Sequence, residues 1–251
     1  MTDHVRVERA GGVLAITLNR PERRNAITVA MYGVLADAIA GAWEDGDVRL
    51  ITVRGEGQDF AAGNDLADFL DADRGEDLPV WRLLRALAEN EIPIIAAVHG
   101  NCVGIGTTML LHCDFVIAAD NSRFSMPFVD LALVPEAASS LLFPRLAGRR
   151  RAARYLLLAE PFGAEEALDI GLASYVVGMA ELDTKLREIT ERLLAKPREA
   201  LRISQSLLRQ GARDEIVERM KLESTRFAER LESAEAKQAI GAFFEKRSRP
   251  S

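Results

Sequence analysis

One carboxylate in the middle of the chain has surroundings that are poor in charge. Glu136 lies in LALVPEAASSLLFPRLAG, residues 131–148, and is the first charged residue of that stretch. Its apolar neighbours predict partial removal from water, which would raise the pKa of the carboxyl toward the range of a general base. The same position also fits a helix start, because proline favours the first helical position and an acid there interacts favourably with the helix dipole. The residues alone are compatible with either role for Glu136, a general base or a helix cap.

Two glycine-containing turns could supply backbone hydrogen-bond donors. DFAAGNDL, residues 59–66, and HGNCVGIGTTMLL, residues 99–111, each follow a strand-like run and lead into a helical pattern. The first amides of a helix have no intrahelical acceptor and carry the positive end of its dipole. Asn64 and Ile105 would present such amides, and two amides that converge on one point would stabilise an enolate or a tetrahedral oxyanion. Ordinary glycine turns at strand-to-helix junctions are the alternative explanation.

Other chemistries lack their motifs in this sequence. It contains no GxSxG nucleophile elbow, no GxxxxGK[ST] phosphate loop and no HExxH. Met109 stands where a dinucleotide fingerprint has its third glycine, so we predict neither a nicotinamide site nor a metal site. Cys102 and Cys113 have no metal-ligand spacing and predict buried thiols in a reducing compartment.

Charge and hydropathy limit the class of partner. The 251 residues carry a formal net charge of −6, which argues against a general nucleic-acid-binding surface. No uninterrupted apolar run reaches the roughly 18 residues that a membrane helix needs. We therefore expect a soluble cytoplasmic protein with no nucleic-acid or membrane partner.

Strand and helix patterns alternate along the chain and predict an α/β fold. HVRVERAGGVLAITLN reads as two strands joined at Gly11 and Gly12, followed by a helix from Thr28 to about Asp45. RLITVRG, IIAAVHG and DFVIAA are further strand-like runs, with helical patterns at 79–90 and 104–112. From Glu136 onward the pattern is mostly helical apart from the strand-like ASYVV, and the acidic segment 71–77 reads as a surface loop.

Four blocks of sequence carry a family resemblance. PERRNA at 21–26, FAAGNDL at 60–66, HGNCVGIG at 99–106 and FSMPFVDLALVPEAASSLLFPRLAG at 124–148 resemble successive blocks of the crotonase, or enoyl-CoA hydratase/isomerase, superfamily. The similarity continues in PFGAEEALDIGLASYVV and in the C-terminal FFEKRS. It implies a spiral of repeated strand-strand-helix units over residues 1–195 and a helical region over 196–251 that mediates homotrimers or hexamers.

The resemblance also implies a ligand and its contacts. The ligand would be an acyl-CoA, with coenzyme A as part of the substrate and no separate cofactor, and the amides of Asn64 and Ile105 would hold its thioester oxygen. Substrate contacts carry over to Arg23, Arg24, Ala26, Ala62, Asp65, Leu66, Gly104, Thr108, Phe128 and Lys246, with Arg247 as an alternative to Lys246.

Departures from the hydratase pattern bear on the reaction. Thr108 and Phe128 stand where the hydratases have their two glutamates, and neither side chain transfers a proton as a carboxylate does. GNDLADF and LVPEAASS instead resemble peroxisomal-type Δ3,Δ2-enoyl-CoA isomerases, in which a single glutamate at the position of Glu136 moves the proton. A hydratase with Asp65 or Asp130 as second acid, another crotonase reaction and a non-catalytic acyl-CoA-binding protein are the alternatives.

Overall fold

The structure, a computed structural model, describes residues 3–70 and 78–248 of the chain. The predicted surface loop 71–77 lies outside the described residues. The strands are β1 (Val5–Ala10), β2 (Val13–Leu18), β3 (Leu50–Gly55), β4 (Ile94–Val98), β5 (Asn101–Val103), β6 (Phe115–Ala119), β7 (Arg123–Ser125), β8 (Phe162–Gly163) and β9 (Tyr175–Val177). The helices are α1 (Val29–Glu44), α2 (Leu66–Leu70), α3 (Pro79–Glu89), α4 (Ile105–Thr108), α5 (Ser139–Ala147), α6 (Arg149–Leu157), α7 (Ala164–Asp169), α8 (Leu182–Leu194), α9 (Arg198–Arg209), α10 (Arg213–Leu231) and α11 (Ala234–Ser248).

The larger sheet adds its strands in chain order. Strands β1 and β2 form an antiparallel hairpin, and β3, β4, β6 and β9 then follow in parallel, giving the order β1-β2-β3-β4-β6-β9. Strand β4 is buried at every position, as expected for a parallel strand that is covered on both faces. A second sheet, β5-β7-β8, lies beside it and pairs β5 with β7 in parallel. This arrangement confirms the predicted α/β fold.

Each of the two glycine-containing stretches is connected to the end of a strand. Strand β3 ends at Gly55, shortly before residues 59–66, and β5 ends at Val103 within residues 99–111, directly before Gly104. Helix α1, which lies between β2 and β3, begins after Thr28, whose hydroxyl accepts a hydrogen bond from the Met31 amide at 3.2 Å. Its predicted start is therefore confirmed, with the N-cap that threonine favours.

The helix predicted to start at Pro135 and Glu136 begins later. Helix α5 starts at Ser139, and Ala137 and Ala138 have positive φ angles of 59° and 55°, which no α-helix contains. The interpretation of Glu136 as a helix cap is therefore wrong. Glu136 instead lies in a loop that tertiary contacts hold.

Helices α9–α11 are the last elements of the chain, and α10 and α11 contribute residues to the core. Met220 and Phe227 of α10 lie in the region 196–251 that is predicted to mediate oligomers, and both are buried within the core of their own chain. Packing within the chain accounts for these two residues, and a homotrimer or hexamer stays a prediction. Within residues 3–70 and 78–248, no helix combines the length and the apolar character needed to cross a membrane.

Candidate active site

A cavity of about 1140 Å³ opens between the two glycine turns and the last two helices. Asn64 and Ile105 of the turns and the loop residue Glu136 all line it. Helix α10 contributes Phe227 to the opposite wall, and α11 contributes Phe243 among other residues. Backbone groups, acidic side chains and apolar side chains therefore meet in one space that is large enough for a small-molecule ligand.

The two turns run side by side because their preceding residues pair. Ala61 and Cys102 form a parallel bridge, in which the Ala61 amide donates to the Asn101 carbonyl at 3.1 Å and the Val103 amide donates to the Ala61 carbonyl at 2.9 Å. Parallel pairing keeps two chains in step. Asn64 and Ile105, each three residues beyond the bridged pair, are therefore brought to the same level.

Glycines allow this close approach. Gly63 and Gly104 have φ angles of +86° and +55°, which residues with a side chain adopt only with strain. A Cβ atom on Gly104 would lie 4.0 Å from the Cα atom of Gly63. A Cβ atom on Gly106 would meet the Cβ atom of Ala61 at 3.0 Å and its carbonyl oxygen at 3.1 Å. A side chain at position 106 would therefore push the second turn away from the first by a few tenths of an ångström.

The backbone amides of Asn64 and Ile105 are available as donors. Among the residues that the structure describes, neither amide donates a hydrogen bond to a protein acceptor, whereas the neighbouring Asp65 and Gly104 amides are both engaged. A pair of unsatisfied amides beside a cavity is suited to an oxygen that carries negative charge.

Glu136 is a buried carboxylate. Its side chain belongs to a residue that is only 7% exposed, and in the described part of the chain its Oε1 atom has no hydrogen-bond partner. Burial, and secondarily the negative charge of Glu223, raise the pKa of Glu136 to about 8. A carboxyl with such a pKa exchanges protons readily near neutral pH, as a general base must.

The loop around Glu136 is fixed from two sides. The His112 ring, whose pKa burial lowers to about 4, donates from Nε2 to the Ala137 carbonyl at 2.8 Å. The amides of Ala138 and Ser140 donate to the two carboxylate oxygens of Glu223 at 2.6 and 2.9 Å. These contacts hold a backbone conformation that alanine rarely adopts alone.

Sequence reasoning missed Glu223 and Tyr32. Glu223 lies on the buried face of α10 with Met220, Phe227 and Leu231, so an acid on an apolar helix face was the signal that could have found it. The hydroxyl of Tyr32 donates to Oδ1 of Asn64, and no local pattern in α1 indicates that contact.

Most of the predicted substrate contacts meet at the cavity. The predicted residues that line it are Arg23, Ala26, Ala62, Asn64, Asp65, Leu66, Gly104, Ile105, Phe128 and Glu136.

Two described residues among the predicted contacts, Arg24 and Thr108, do not line it. Arg24, with an exposed side chain 3.8 Å from the Asp59 carboxylate, is not among the described lining residues. Thr108 is fully buried behind the turn, because α4 directs it into the core. The side chain of Lys246 lies outside the described part of the structure.

The two acids considered as second proton donors differ from Glu136. Asp65 pairs with Arg20 at 2.7 Å, and although partial burial opposes it, hydrogen bonds from Arg20 and from backbone amides hold the pKa of Asp65 below its usual value. Asp130 lines the cavity but is exposed to solvent. The environment of Asp65 therefore favours its ionised form.

Comparison with known proteins assigns the family. The family model described as enoyl-CoA hydratase/isomerase matches residues 8–250. The chain is 32% identical to a crotonyl-CoA hydratase of Syntrophomonas wolfei over 98% of this chain and 96% of that protein. It is 33% identical to enoyl-CoA delta isomerase 2 of Rattus norvegicus, over 94% of this chain and 62% of that protein.

A solved structure agrees with the sequence comparison. The crystal structure of an enoyl-CoA hydratase/isomerase from Pseudoalteromonas atlantica superimposes with a TM-score of 0.93 at 38% identity, over 99% of this chain and all of that one. The sequence match and the fold point to one conclusion. The chain belongs to the enoyl-CoA hydratase/isomerase family, the crotonase superfamily, whose members transform acyl-CoA thioesters.

Proposed function

We propose that this protein isomerises 3-enoyl-CoA to 2-enoyl-CoA with Glu136 as its single proton carrier and with the Asn64 and Ile105 amides as an oxyanion hole. One observation carries the proposal. Within the described part of the chain, the acidic residues that line the cavity are Asp65, Asp68, Asp130 and Glu136. Of these four, only Glu136 is buried.

The reaction begins with removal of a proton from carbon 2 of the substrate. The Glu136 carboxylate takes the proton, and the electron pair moves through the thioester carbonyl to give a dienolate whose negative charge rests on oxygen. The amides of Asn64 and Ile105 would donate to that oxygen. A donor of this kind contributes about 2.7–4 kcal/mol at the transition state, so two donors supply a substantial part of the barrier reduction.

The reaction ends when the same carboxyl returns the proton to carbon 4. The double bond then lies between carbons 2 and 3, and Glu136 is again ionised, so atoms and charge balance with one acid-base group. A pKa near 8 suits both halves of this cycle, because the group must accept a proton in one step and give it up in the next.

Hydration of 2-enoyl-CoA is the second candidate, and the similarity to a crotonyl-CoA hydratase favours it. Hydration needs a group that activates water and a group that protonates carbon 2. At the two positions where the family's hydratases carry glutamate, this chain has a buried threonine and a phenylalanine, Thr108 and Phe128. The ion-paired Asp65 and the exposed Asp130 do not replace them, which is why isomerisation is the better-supported reaction.

Incubation in deuterated water separates the candidates. The protein is given 3-enoyl, 2-enoyl and saturated acyl-CoA in turn, and both product and label are followed by mass spectrometry. We expect 3-enoyl-CoA to become 2-enoyl-CoA with partial deuterium at carbon 4 and little 3-hydroxyacyl-CoA. Rapid conversion of 2-enoyl-CoA to 3-hydroxyacyl-CoA would assign a hydratase instead, and ligand binding without isomerisation, hydration or exchange would indicate a non-catalytic acyl-CoA-binding protein.

A further inference from the structure

We propose that Glu223 of α10 is a positioning residue for catalysis: it clamps the loop 137–140 by two backbone amides and keeps a second negative charge beside the Glu136 base. This inference rests on the proposed role of Glu136. It goes beyond that role because it makes the C-terminal helical region, through α10, a part of the machinery that aims and tunes the base.

The clamp has the geometry of a specific contact. The Ala138 amide donates to Oε2 of Glu223 at 2.6 Å, and the Ser140 amide donates to Oε1 at 2.9 Å. Each carboxylate oxygen thus accepts one hydrogen bond from a backbone amide of a segment that is more than 80 residues away in the chain. Glu223 is only 6% exposed, so both hydrogen bonds are shielded from water.

The clamped backbone is one that needs support. Ala137 and Ala138 both have left-handed φ angles, of 59° and 55°, a conformation that a residue with a Cβ atom adopts only when its surroundings hold it. His112 holds the Ala137 carbonyl from the other side at 2.8 Å. Since Glu136 immediately precedes this pair, the direction of its carboxyl depends on the contacts that fix them.

A carboxylate suits position 223 better than an amide would. Both partners of the side chain are N–H donors, so a glutamine would turn its own NH₂ group toward one of them. Arg219, one turn earlier on α10, donates to Oγ of Ser140 at 3.3 Å and partly balances the charge of Glu223. Burial is the largest influence on Glu223 and raises the pKa of its carboxyl above the ordinary value, while the hydrogen bonds from Ser140 and Ala138 and the charge of Arg219 oppose that rise.

That charge also acts on the base. After burial, the charge of Glu223 is the second cause that raises the pKa of Glu136, so its removal should lower that pKa. The other titratable or charged groups that surround the base or line its cavity are Tyr32 on α1, His112 after α4, Arg219 on α10, and Arg23, Asp65, Asp68 and Asp130.

The test compares two substitutions of Glu223 with a matched control. Glu223→Gln removes the charge, and Glu223→Asp keeps the charge on a shorter side chain. The control is Gln205→Met, which alters a buried polar residue of α9 that bonds Asp114 at 2.8 Å and lies outside the cavity lining. The measurements are kcat and KM for isomerisation, and a ¹³C NMR titration of the Glu136 carboxyl in the protein without substrate, assigned with Glu136→Gln.

We expect Glu223→Gln to lower kcat by about 10- to 100-fold, because a displacement of the base by about 1 Å costs this much, while KM changes little. Its Glu136 carboxyl should titrate at a lower pH than in the wild type. Glu223→Asp should keep the titration near that of the wild type and still lose kcat, and Gln205→Met should change neither.

Each outcome decides the matter. A Glu223→Gln protein with wild-type kcat would overturn the positioning role, even if the titration moved. If that variant does not fold, Glu223→Asp decides, since wild-type kcat in it would contradict the clamp and a reduced kcat at unchanged KM would support it. If the wild type does not isomerise at all, the proposed function fails, whereas the carboxyl titration still tests the influence of Glu223 on Glu136 without any turnover.

Discussion

The hydroxyl of Tyr32 donates a hydrogen bond to Oδ1 of Asn64, the residue whose backbone amide we assign to the oxyanion hole. Tyr32 is fully buried in α1, and burial followed by the charge of Glu136 raises its pKa well above the ordinary value. The hydroxyl therefore stays protonated and remains a donor. It fixes the side chain of Asn64 from behind the cavity, and with it the orientation of the peptide that carries the amide.

Tyr32→Phe should lower kcat/KM several-fold, since a hydrogen bond of this kind is typically worth about 0.5–1.5 kcal/mol. Asn64→Ala should have a similar effect, and the double variant should lose no more than the worse single one, because both changes remove the same contact. Steady-state kinetics of the three variants measure this. Tyr155→Phe, which removes a buried tyrosine hydroxyl bonded to Glu166 away from the cavity, serves as the control. Fully additive losses would refute the coupling.

Gly106→Val should abolish most activity. Its side chain would have to displace Ala61, whose Cβ and carbonyl oxygen would lie 3.0 and 3.1 Å from the new Cβ atom, and the Ile105 amide would move with the turn. We expect a loss in kcat of about 10²- to 10³-fold, as for removal of one oxyanion donor. Gly41→Ala in α1 is the matched control, because its Cβ atom would meet nothing within 4 Å. Near-normal turnover by Gly106→Val would rule out the assigned oxyanion hole.

The pH dependence of kcat/KM should report the ionisation of Glu136. The base must be deprotonated in the free enzyme, so kcat/KM should rise with pH, reach half its maximum near the pKa of about 8 and level off above it. Initial rates between about pH 6 and about pH 10, roughly two units on each side of the expected midpoint, test this. Asp130→Asn, which removes an exposed acid of the same cavity, should leave the midpoint unchanged. A plateau that is already complete at about pH 6 would contradict a raised pKa.

The same raised pKa predicts that the base lowers the stability of the protein at alkaline pH. A carboxyl whose pKa is higher in the folded state than in the unfolded one stabilises the fold fully below its unfolded pKa, and this contribution is lost as pH rises through the folded value of about 8. Glu136→Gln should therefore be more stable than the wild type at pH 9 by at least about 1 kcal/mol, with the difference shrinking toward pH 5. Urea unfolding at both pH values measures it. Equal stability at pH 9 would show that the carboxylate is solvated.

The strands and glycine turns could be predicted from the sequence because they follow local rules. Strand runs such as those of β3, β4 and β6 are short, apolar and rich in branched residues, and the turns carry glycine where the backbone needs positive φ. The spacing of residues along the sequence does not show that the first and second glycine turns lie side by side. Their approach depends on the bridge between Ala61 and Cys102, which pairs residues 41 positions apart.

The loop that carries Glu136 shows where local rules fail. Proline followed by an acid favours a helix start, yet contacts with Glu223 and His112 hold Ala137 and Ala138 in left-handed conformations and delay the helix to Ser139. Thr108 was predicted at the site and lies buried behind it, because the short helix α4 turns that side chain inward. Tertiary contacts decide both cases, and a single sequence carries no record of them.

The rate of isomerisation by Glu136→Gln tests the central claim most directly. Glutamine keeps the size and the hydrogen-bonding capacity of the side chain but cannot accept the proton from carbon 2. We predict that the conversion of 3-enoyl-CoA to 2-enoyl-CoA falls by at least about 10²- to 10⁴-fold, with the fold retained and deuterium exchange at carbon 2 lost. Near-normal isomerisation by Glu136→Gln would contradict the account, because another group would then have to carry the proton.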